Sequence, residues 1–336
     1  MSPLHPLLES FNQRVKANPR RIVLPEADDA RILKAAQIAA QEGLARPILL
    51  GTPETVKALA KEHEIDLDGV EILDHLNSGW MDEFIAEYIE VRSRPGKAVR
   101  EKAAVKMLTN PLYFGAMMMR RNLADGYVAG AATTTANVVR PARYIIGPAE
   151  GMQTVSSAAL MVFDHDREIG ENGAMIWGDP AVQVDPTSEE IADMALCAAD
   201  TVRQLLQVEP RVALISFSTM GSASHPNATK MIEAAQIARE RKPEIHVDGE
   251  MQVDAAIIPA IGQRKAPDSP VAGRANALIF PNLTSANPAY KVAERLAHAD
   301  IYGPFFQGLS RPTSDLSRGC SPEEVVNVII VTSLRG

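Results

Sequence analysis

The sequence predicts an α/β protein that consists of two parallel-sheet domains with helices on both faces. Apolar runs alternate with amphipathic helical segments along the chain, which is typical of βαβ units and therefore of parallel sheets. The chain has 336 residues, and because a domain usually holds ~100 to 200 residues, one small module is excluded. Hydrophobic residues make up 46% and charged residues 23%, so the chain can bury a large core.

The first βαβ unit lies in residues 21–51, which read RIVLPEADDARILKAAQIAAQEGLARPILLG. Residues 22–24 form a short apolar run that predicts a strand, and apolar residues at helical spacing follow over residues 32–39. We expect this helix to end at Gly43, and the apolar run at 47–50 predicts the second strand.

Further helices and strands are predicted in the same way, from apolar residues at helical spacing and from short apolar runs. A strand at 126–130 precedes a helix that begins near Thr134 and ends at Arg140-Pro141, and a long amphipathic helix is predicted over 188–207. The other predicted elements are strands at 70–73, 212–217, 245–248 and 277–280 and a helix at 228–239.

No internal repeat and no low-complexity linker marks a domain boundary. We therefore expect a short crossing near residue 150, with the final segment returning to the first domain. The first domain would then comprise residues 1–150 plus 304–336, and the second would comprise residues 151–303.

The balance of charge argues against nucleic-acid and membrane partners. The chain has 34 Lys and Arg residues against 42 Asp and Glu residues, and its acidic residues are scattered, whereas either partner would favour a basic surface. No apolar run approaches the ~20 residues that span a bilayer, and the N-terminus lacks the apolar core of a signal peptide. We therefore expect a cytoplasmic protein.

Metal and disulfide chemistry have little support. Two cysteines, Cys197 and Cys320, are too few for a disulfide framework or a cysteine-rich zinc site. The three carboxylates of Asp248, Glu250 and Asp254 could hold a divalent ion, but a polar connection from a strand to a helix needs no such ion. We favour that structural interpretation and predict no metal site.

Two nucleotide-binding motifs are absent. The turn after the first strand reads PEADD instead of GxGxxG, which disfavours a dinucleotide site. The GxxxxGK[ST] pattern does not occur either, so nucleotide-driven phosphoryl transfer has no support in the sequence.

A loop rich in small and polar residues precedes the last helix. Ser321 suits the N-cap of that helix, and Glu324 follows at the spacing of a capping box. Ser317, Arg318 and Gly319 therefore lie just ahead of unpaired backbone N–H groups, an arrangement that favours a phosphate. The alternative is an ordinary capping box, with Arg318 in a salt bridge to Asp315.

A second loop of small residues, STMGSASHPN, follows the strand at 212–217. Hydroxyl and N–H groups of Ser218, Gly221 and Ser222 could hold an anion there, because the carboxyl ends of parallel strands face the ligand. A capped turn leading into the next helix is the alternative, and His225 is expected to be a polar turn residue and not a metal ligand.

Several stretches of the chain match one known family. The specific match is GLSRPTSDLSRGCS, and YFGAMMMRRNLADGYVAG, TTTANVVRPA, SFSTMGSA, VDGEMQVDAA and KAPDSPVAGRANALIFPNL support it. On these stretches the chain resembles the phosphate acetyltransferase (phosphotransacetylase) family over most of its length. The resemblance implies reversible transfer of an acetyl group between acetyl phosphate and coenzyme A, with no redox cofactor and no acyl-enzyme. It also implies a homodimer, with domains of the isocitrate/isopropylmalate dehydrogenase type and an active-site cleft between them.

The same resemblance implies roles for individual residues. Ser317 and Arg318 would stabilise the transition state and bind phosphate, and Glu324 would be the general base. Cys320 would line the site. The substrate-binding arginines of the family match Arg92, Arg140 and Arg295.

Three features depart from the family pattern. The stretch Arg92-Ser93-Arg94-Pro95-Gly96 lacks the lysine of the family's Arg-x-x-Lys-Gly, Glu324 stands where the best-known form of the motif has Asp, and the third departure is the segment at 286–291. Where the family commonly has Gly-Asn-x-Gly-Tyr-Lys, residues 286–291 read ANPAYK, and we expect a loop of different shape because the two glycines are lost. The change leaves two other functions open. One is a phosphate butyryltransferase-like enzyme, and the other is a domain that senses acetyl-CoA without catalysing transfer.

Overall fold

The computed structural model describes residues 5–93 and 98–336. The chain forms two compact units. The first comprises Met1–Glu150 and Leu309–Gly336, and the second comprises Gly151–Gly308.

Eleven β-strands occur in the described residues. They are β1 (Arg21–Leu24), β2 (Arg46–Leu50), β3 (Glu71–Leu73), β4 (Gly126–Ala129), β5 (Ser156–Val162), β6 (Ala174–Gly178), β7 (Arg211–Ile215), β8 (His246–Met251), β9 (Ala277–Ile279), β10 (Asp300–Gln307) and β11 (Thr313–Asp315).

Thirteen α-helices and one π-helical turn, Ala142–Ile146, also occur in this part of the chain. The helices are α1 (Pro6–Ala17), α2 (Ala30–Gln41), α3 (Pro53–Glu62), α4 (Met81–Arg92), α5 (Glu101–Leu108), α6 (Pro111–Arg120), α7 (Thr135–Pro141), α8 (Ser188–Leu205), α9 (Pro226–Arg241), α10 (Val253–Ile257), α11 (Pro259–Lys265), α12 (Leu283–Arg295) and α13 (Pro322–Leu334).

The first unit contains a parallel sheet in the order β3-β2-β1-β4-β11. Val23 of β1 lies opposite Ile48 of β2 on one side and Tyr127 of β4 on the other. From β1 the strands continue to β2 and β3 on one side and to β4 and β11 on the other, so the strand order reverses beside β1. Ligands bind at such points in α/β sheets. The βαβ unit predicted for residues 21–51 is confirmed by β1, α2 and β2.

The second unit contains a mixed sheet and not a purely parallel one. Strands β6, β9, β7 and β8 are parallel to one another, whereas β5 runs antiparallel to both β6 and β10. The predicted long helix is confirmed as α8, and the apolar face that defined it is buried. A capping box formed by Thr187 and Glu190 begins this helix, which explains its sharp start.

Residues 304–308, assigned from the sequence to the first domain, lie in the second unit. Most of them continue β10, and Phe305, Phe306 and Gln307 pair with β5 of the same unit. A boundary between the two units inside β10 would separate these paired residues from β5. The chain therefore returns to the first unit only at Leu309.

The segment expected to be a loop of altered shape is helical. Residues Ala286 and Ala289 lie in α12, with Pro288 inside the helix and Ala286 buried. Asn282 caps the helix by accepting a hydrogen bond from the Ser285 N–H at 3.0 Å. The physical reason is that alanine has the highest helix propensity, so this sequence favours a helix where glycines would favour a turn.

Among the described residues, none of the helices combines the length and the apolar character that crossing a membrane would require.

Candidate active site

Three loops meet at the carboxyl edge of the sheet in the first unit. They follow β1, β4 and β11, and hydrogen bonds join them in pairs. Thr135, at the start of α7, donates to Asp315 at the end of β11, and the loop after β1 bonds to both of the others. This edge gathers the Ser317–Cys320 segment and the residues that support it.

Glu26 is a buried acidic residue in the loop after β1 that sequence reasoning did not single out. Its carboxylate accepts hydrogen bonds from the backbone N–H groups of Gly130, Ala131 and Ala132 at 2.7, 2.8 and 3.0 Å. These three bonds fix the loop after β4. An acidic residue directly after a buried strand was the available signal, but its partners lie more than 100 residues away.

Asp315 is the last residue of β11, just ahead of the Ser317–Cys320 segment, and it is 1% exposed. Its Oδ2 atom accepts from the Thr135 hydroxyl at 2.5 Å, while Oδ1 has no hydrogen-bond partner in the described part of the chain. Burial raises the pKa of Asp315 to about 7, although the Thr135 hydroxyl opposes the shift. Gly130 has a φ of +121°, and a Cβ there would lie 2.5 Å from Oδ1, so only glycine fits.

The Ser317–Cys320 segment forms an exposed turn between β11 and α13. The Cys320 N–H donates to the Ser317 carbonyl at 2.9 Å, and the Ser317 Oγ accepts from the Gly319 N–H at 3.3 Å. Arg318 is exposed, and within residues 5–93 and 98–336 its guanidinium makes no ion pair, so the alternative of a salt bridge to Asp315 is wrong. The guanidinium is therefore available to an anion.

The first turn of α13 has the capping box predicted from the sequence. The Ser321 Oγ accepts from the Glu324 N–H at 3.2 Å, and the Glu324 Oε2 accepts from the Ser321 N–H at 2.8 Å. Glu324 is exposed, and its Oε1 atom makes no hydrogen bond to any described residue. One carboxylate oxygen thus caps the helix and the other faces solvent.

Cys320 is buried at the end of the turn. Burial raises the pKa of its thiol to about 11, and the charge of Glu324 adds to this, whereas Arg31 opposes it. The thiol therefore stays protonated near neutral pH, which does not suit a nucleophile. That Cys320 lines the site stays a prediction.

Arg92 and Arg140 lie in one cluster of the first unit. The Arg92 guanidinium stacks 4.0 Å from the centre of the Tyr144 ring. Both arginines lie near Tyr113. Burial and Tyr88 raise the pKa of Tyr113, and the positive charges of the two arginines oppose this rise. The pattern Arg92-Ser93-Arg94-Pro95-Gly96 of the sequence lies partly outside the described residues.

In the second unit, the loop after β7 is folded around Glu250. Ser218 is fully buried, and its hydroxyl donates to the Glu250 Oε1 at 2.6 Å. The Gly221 N–H donates to the same oxygen at 2.9 Å, and the Ser222 Oγ accepts from the Thr219 N–H at 3.0 Å. Ser218 therefore holds the turn together, while Gly221 and Ser222 are exposed.

The capped turn expected as the alternative for this loop is present. His225 is the N-cap of α9, and its Nδ1 atom accepts from the Asn227 N–H at 3.1 Å. The three carboxylates that were weighed as metal ligands have protein partners. These pairs are Asp248 with Arg239, Glu250 with Ser218, and Asp254 with Lys265.

Arg295 is the last residue of α12 in the second unit, and its side chain is 76% exposed. Its Nε atom lies 3.4 Å from the Glu294 carboxylate. No hydrogen bond or ion pair joins it to the Ser218 loop among the described residues.

The model of the family described as "Phosphate acetyl/butaryl transferase" matches residues 6–333. A phosphate acetyltransferase of Acetivibrio thermocellus is 42% identical over 328 residues, which cover 98% of this chain and 97% of the relative.

Solved structures give the same comparison. A phosphotransacetylase from Streptococcus pyogenes has a TM-score of 0.91 at 37% identity, covering 99% of this chain and 98% of that one. A 4-hydroxythreonine-4-phosphate dehydrogenase from Klebsiella pneumoniae has a TM-score of 0.56 at 9% identity, covering 93% and 97% of the two chains. This last likeness concerns the fold alone, and it agrees with the dehydrogenase-like fold expected above.

Proposed function

The chain belongs to the phosphate acetyl/butaryl transferase family, and from this premise we propose that it is a phosphate acetyltransferase. The reaction is the reversible transfer of an acetyl group between acetyl phosphate and coenzyme A. The enzyme is an acyltransferase, as are the relatives named phosphate acetyltransferase.

The observation that carries the proposal is the exposed turn ahead of α13. The Arg318 guanidinium is unpaired in the described residues, so it can donate two parallel hydrogen bonds to a phosphate group. The turn also leads into a helix N-terminus, whose backbone dipoles favour negative charge. The Ser317 Oγ accepts one bond within the turn, which leaves its hydroxyl proton for a phosphate or carbonyl oxygen.

The proposed mechanism is direct attack by the thiolate of coenzyme A on the acetyl carbonyl carbon. The carbon–sulfur bond forms, the carbon–oxygen bond to phosphate breaks, and inorganic phosphate leaves. A free thiol is only about 3% ionised at pH 7, so a base accelerates the step. We assign this role to Glu324, whose Oε1 atom is not used by the capping box in the described structure.

The remaining predicted residues would bind the rest of coenzyme A. Arg92 and Arg140 offer two neighbouring positive charges, which suit its phosphate groups. Gly221, Ser222 and Arg295 expose polar groups in the second unit and stay proposed substrate-binding residues. Ser218 would act on this loop only through its hydrogen bond to Glu250.

The proposal includes a cytoplasmic homodimer that needs no cofactor beyond coenzyme A as a substrate. The family resemblance supports this assembly. Static light scattering of the purified protein would test it, and a mass equal to that of one chain would contradict the dimer.

One assay tests the function. Purified protein is mixed with coenzyme A and with acetyl, propionyl or butyryl phosphate, and thioester formation is followed. We expect the highest kcat/KM with acetyl phosphate. A preference for butyryl phosphate would assign the butyryltransferase-like activity, and binding of acetyl-CoA without transfer in either direction would assign a sensor.

A further inference from the structure

Arg31, in the first turn of α2, makes five hydrogen bonds to oxygen atoms through its guanidinium, and its Nη1 atom also contacts the Cys320 sulfur at 3.9 Å. Nε and Nη2 donate to the two carboxylate oxygens of Asp29, at 3.0 and 2.6 Å. Nη2 also donates to the Ala131 carbonyl at 2.7 Å. Nη1 donates to the carbonyls of Arg318 and Cys320, at 2.8 and 3.1 Å.

These acceptors belong to the three loops at the carboxyl edge of the first sheet. Asp29 follows β1, Ala131 follows β4, and Arg318 and Cys320 form the turn after β11. Arg31 therefore bonds the backbone of the turn that presents Ser317 and Arg318, while the Arg318 side chain stays exposed.

The Asp29 carboxylate, which accepts two hydrogen bonds from the Arg31 guanidinium, is itself held in place. Asp29 is the N-cap of α2, and its Oδ1 atom accepts from the Arg31 backbone N–H at 2.9 Å. An exposed ion pair would contribute little, but here a helix cap orients the carboxylate and the carboxylate orients the guanidinium. The side chain of Arg31 is 31% exposed, so water competes only partly for its donors.

We propose that Arg31 is a positioning residue, which holds the Ser317–Cys320 turn in the orientation that acetyl transfer requires. This inference rests on the proposed function. It adds a residue that touches neither substrate in the mechanism above and acts through the backbone of the turn.

Arginine suits this role and lysine does not. A guanidinium has five donors in a planar fork, whereas an ammonium has three donors around one atom and cannot reach all three loops together. Packing restrains the turn little, because Ser317, Arg318 and Gly319 are exposed. A displacement of about 1 Å in a catalytic group can reduce the rate about 100-fold.

The test compares Arg31→Lys with a matched control, Arg21→Lys. Arg21 also joins a carbonyl and a carboxylate, those of Leu123 and Glu71, but it is the first residue of β1 and lies at the opposite end of the strand. We expect Arg31→Lys to lower kcat for acetyl-CoA synthesis about 30- to 100-fold, as expected for a displaced catalytic turn. The KM for coenzyme A should change less than about 3-fold, because Arg92 and Arg140 do not contact Arg31 in the described structure.

Chemical rescue separates positioning from folding. We expect Arg31→Ala to be nearly inactive and to regain at least about 5-fold activity in added guanidinium ion at low, non-denaturing concentration, as a replaced donor should. Arg318→Ala keeps the turn intact but lacks the side chain that Arg31 would position. The activity of this variant should therefore depend less on Arg31 than the activity of the parent protein does.

Three outcomes would overturn the inference. They are a normal kcat in Arg31→Lys, a melting temperature that falls in Arg31→Lys far more than in Arg21→Lys, and equal losses of activity in these two variants. Inactivity of the parent protein with acetyl, propionyl and butyryl phosphate would instead overturn the proposed function, so the two failures are distinguishable.

Discussion

Glu26 and Asp315 are buried acidic residues at the same edge of the first sheet, and their surroundings differ in hydrogen-bond donors. Glu26 accepts three backbone N–H groups, whereas Asp315 has the Thr135 hydroxyl at one oxygen and no partner within the described residues at the other. Donors stabilise a buried carboxylate, and their shortage favours its protonated form. Burial raises the pKa of Asp315 to about 7, against an ordinary value of 3.8, and the Thr135 hydroxyl opposes this rise only in part.

This pKa predicts how stability depends on pH. Between about pH 4 and pH 7 the folded protein keeps a proton on Asp315 that the unfolded chain releases, so the free energy of unfolding falls as the pH rises through this window. Relative to Asp315→Asn, we expect the wild-type value to fall by about 1.4 kcal/mol per pH unit. Urea unfolding of both proteins at several pH values measures this difference, and parallel pH profiles would contradict the prediction.

For the proposed contact with phosphate, we expect the planar shape of the Arg318 guanidinium to matter more than its charge. We expect Arg318→Lys to lower kcat/KM at least about 100-fold with little change in melting temperature, because an ammonium cannot reproduce a bidentate contact with phosphate. Steady-state kinetics and a thermal shift assay measure the two effects. Near-normal acetyl-CoA synthesis by the variant would remove the phosphate-binding role.

The first turn of α13 is an element with two tasks. Ser321 and Glu324 close a capping box there, and the Glu324 Oε1 atom, which makes no hydrogen bond to any described residue, lies in the helix that follows the Ser317–Cys320 segment. A cap needs only an acceptor at the third helical position, whereas a base needs a carboxylate. Single substitutions can therefore separate the two tasks.

Glu324→Gln and Ser321→Ala form a matched pair. Glutamine can complete a capping box but cannot accept the proton, so we expect Glu324→Gln to lose most of its kcat with little change in stability. Ser321→Ala should cost about 1 kcal/mol of stability through loss of the cap. If Glu324→Gln keeps its rate, Glu324 is a cap and not the base.

Helix α12 tests the same distinction between stability and chemistry. Ala286 and Ala289 are helical, so we expect replacement of both by glycine to cost about 1 kcal/mol per site. Burial of the Ala286 methyl group adds to this cost. Circular dichroism melts measure the loss, and acetyl transfer by the remaining folded protein should persist. A gain of activity in the double-glycine variant would contradict this account.

At the scale of the whole molecule, the sheet of the first unit collects distant parts of the chain at one edge. Arg31 bonds to a residue 287 positions away, and Glu26 bonds to residues that lie 104 to 106 positions away. The proposed chemistry needs only protein groups at this edge, because Arg318 and the N-terminus of α13 can neutralise phosphate.

This view predicts that removal of metal ions leaves the activity intact. Dialysis against a chelator should change the initial rate of acetyl-CoA formation by less than about 2-fold, since arginine and backbone donors stabilise the transition state. The control is the same protein dialysed against buffer alone. Loss of activity that returns on addition of a divalent cation would show that a metal takes part.

The features that the sequence by itself determined depend on near neighbours in the chain. The capping box joins Ser321 and Glu324, which lie three positions apart, the buried face of α8 follows a period of one helical turn, and the βαβ unit at 21–51 follows from apolar runs. Each of these can be predicted because the pattern that specifies it is written in residues close together in the chain.

Tertiary structure alone decided the roles of Arg31, Glu26, Asp315 and Ser218. The partners of Arg31 and Glu26 come from three loops, Asp315 is bonded to Thr135 from 180 positions away, and Glu250 takes the Ser218 hydroxyl that had been expected to face a ligand. Strand order determines which loops meet, and the loops that meet determine which polar groups have partners and which stay exposed. Composition and spacing carry no information about that order, because it arises only when the sheet assembles.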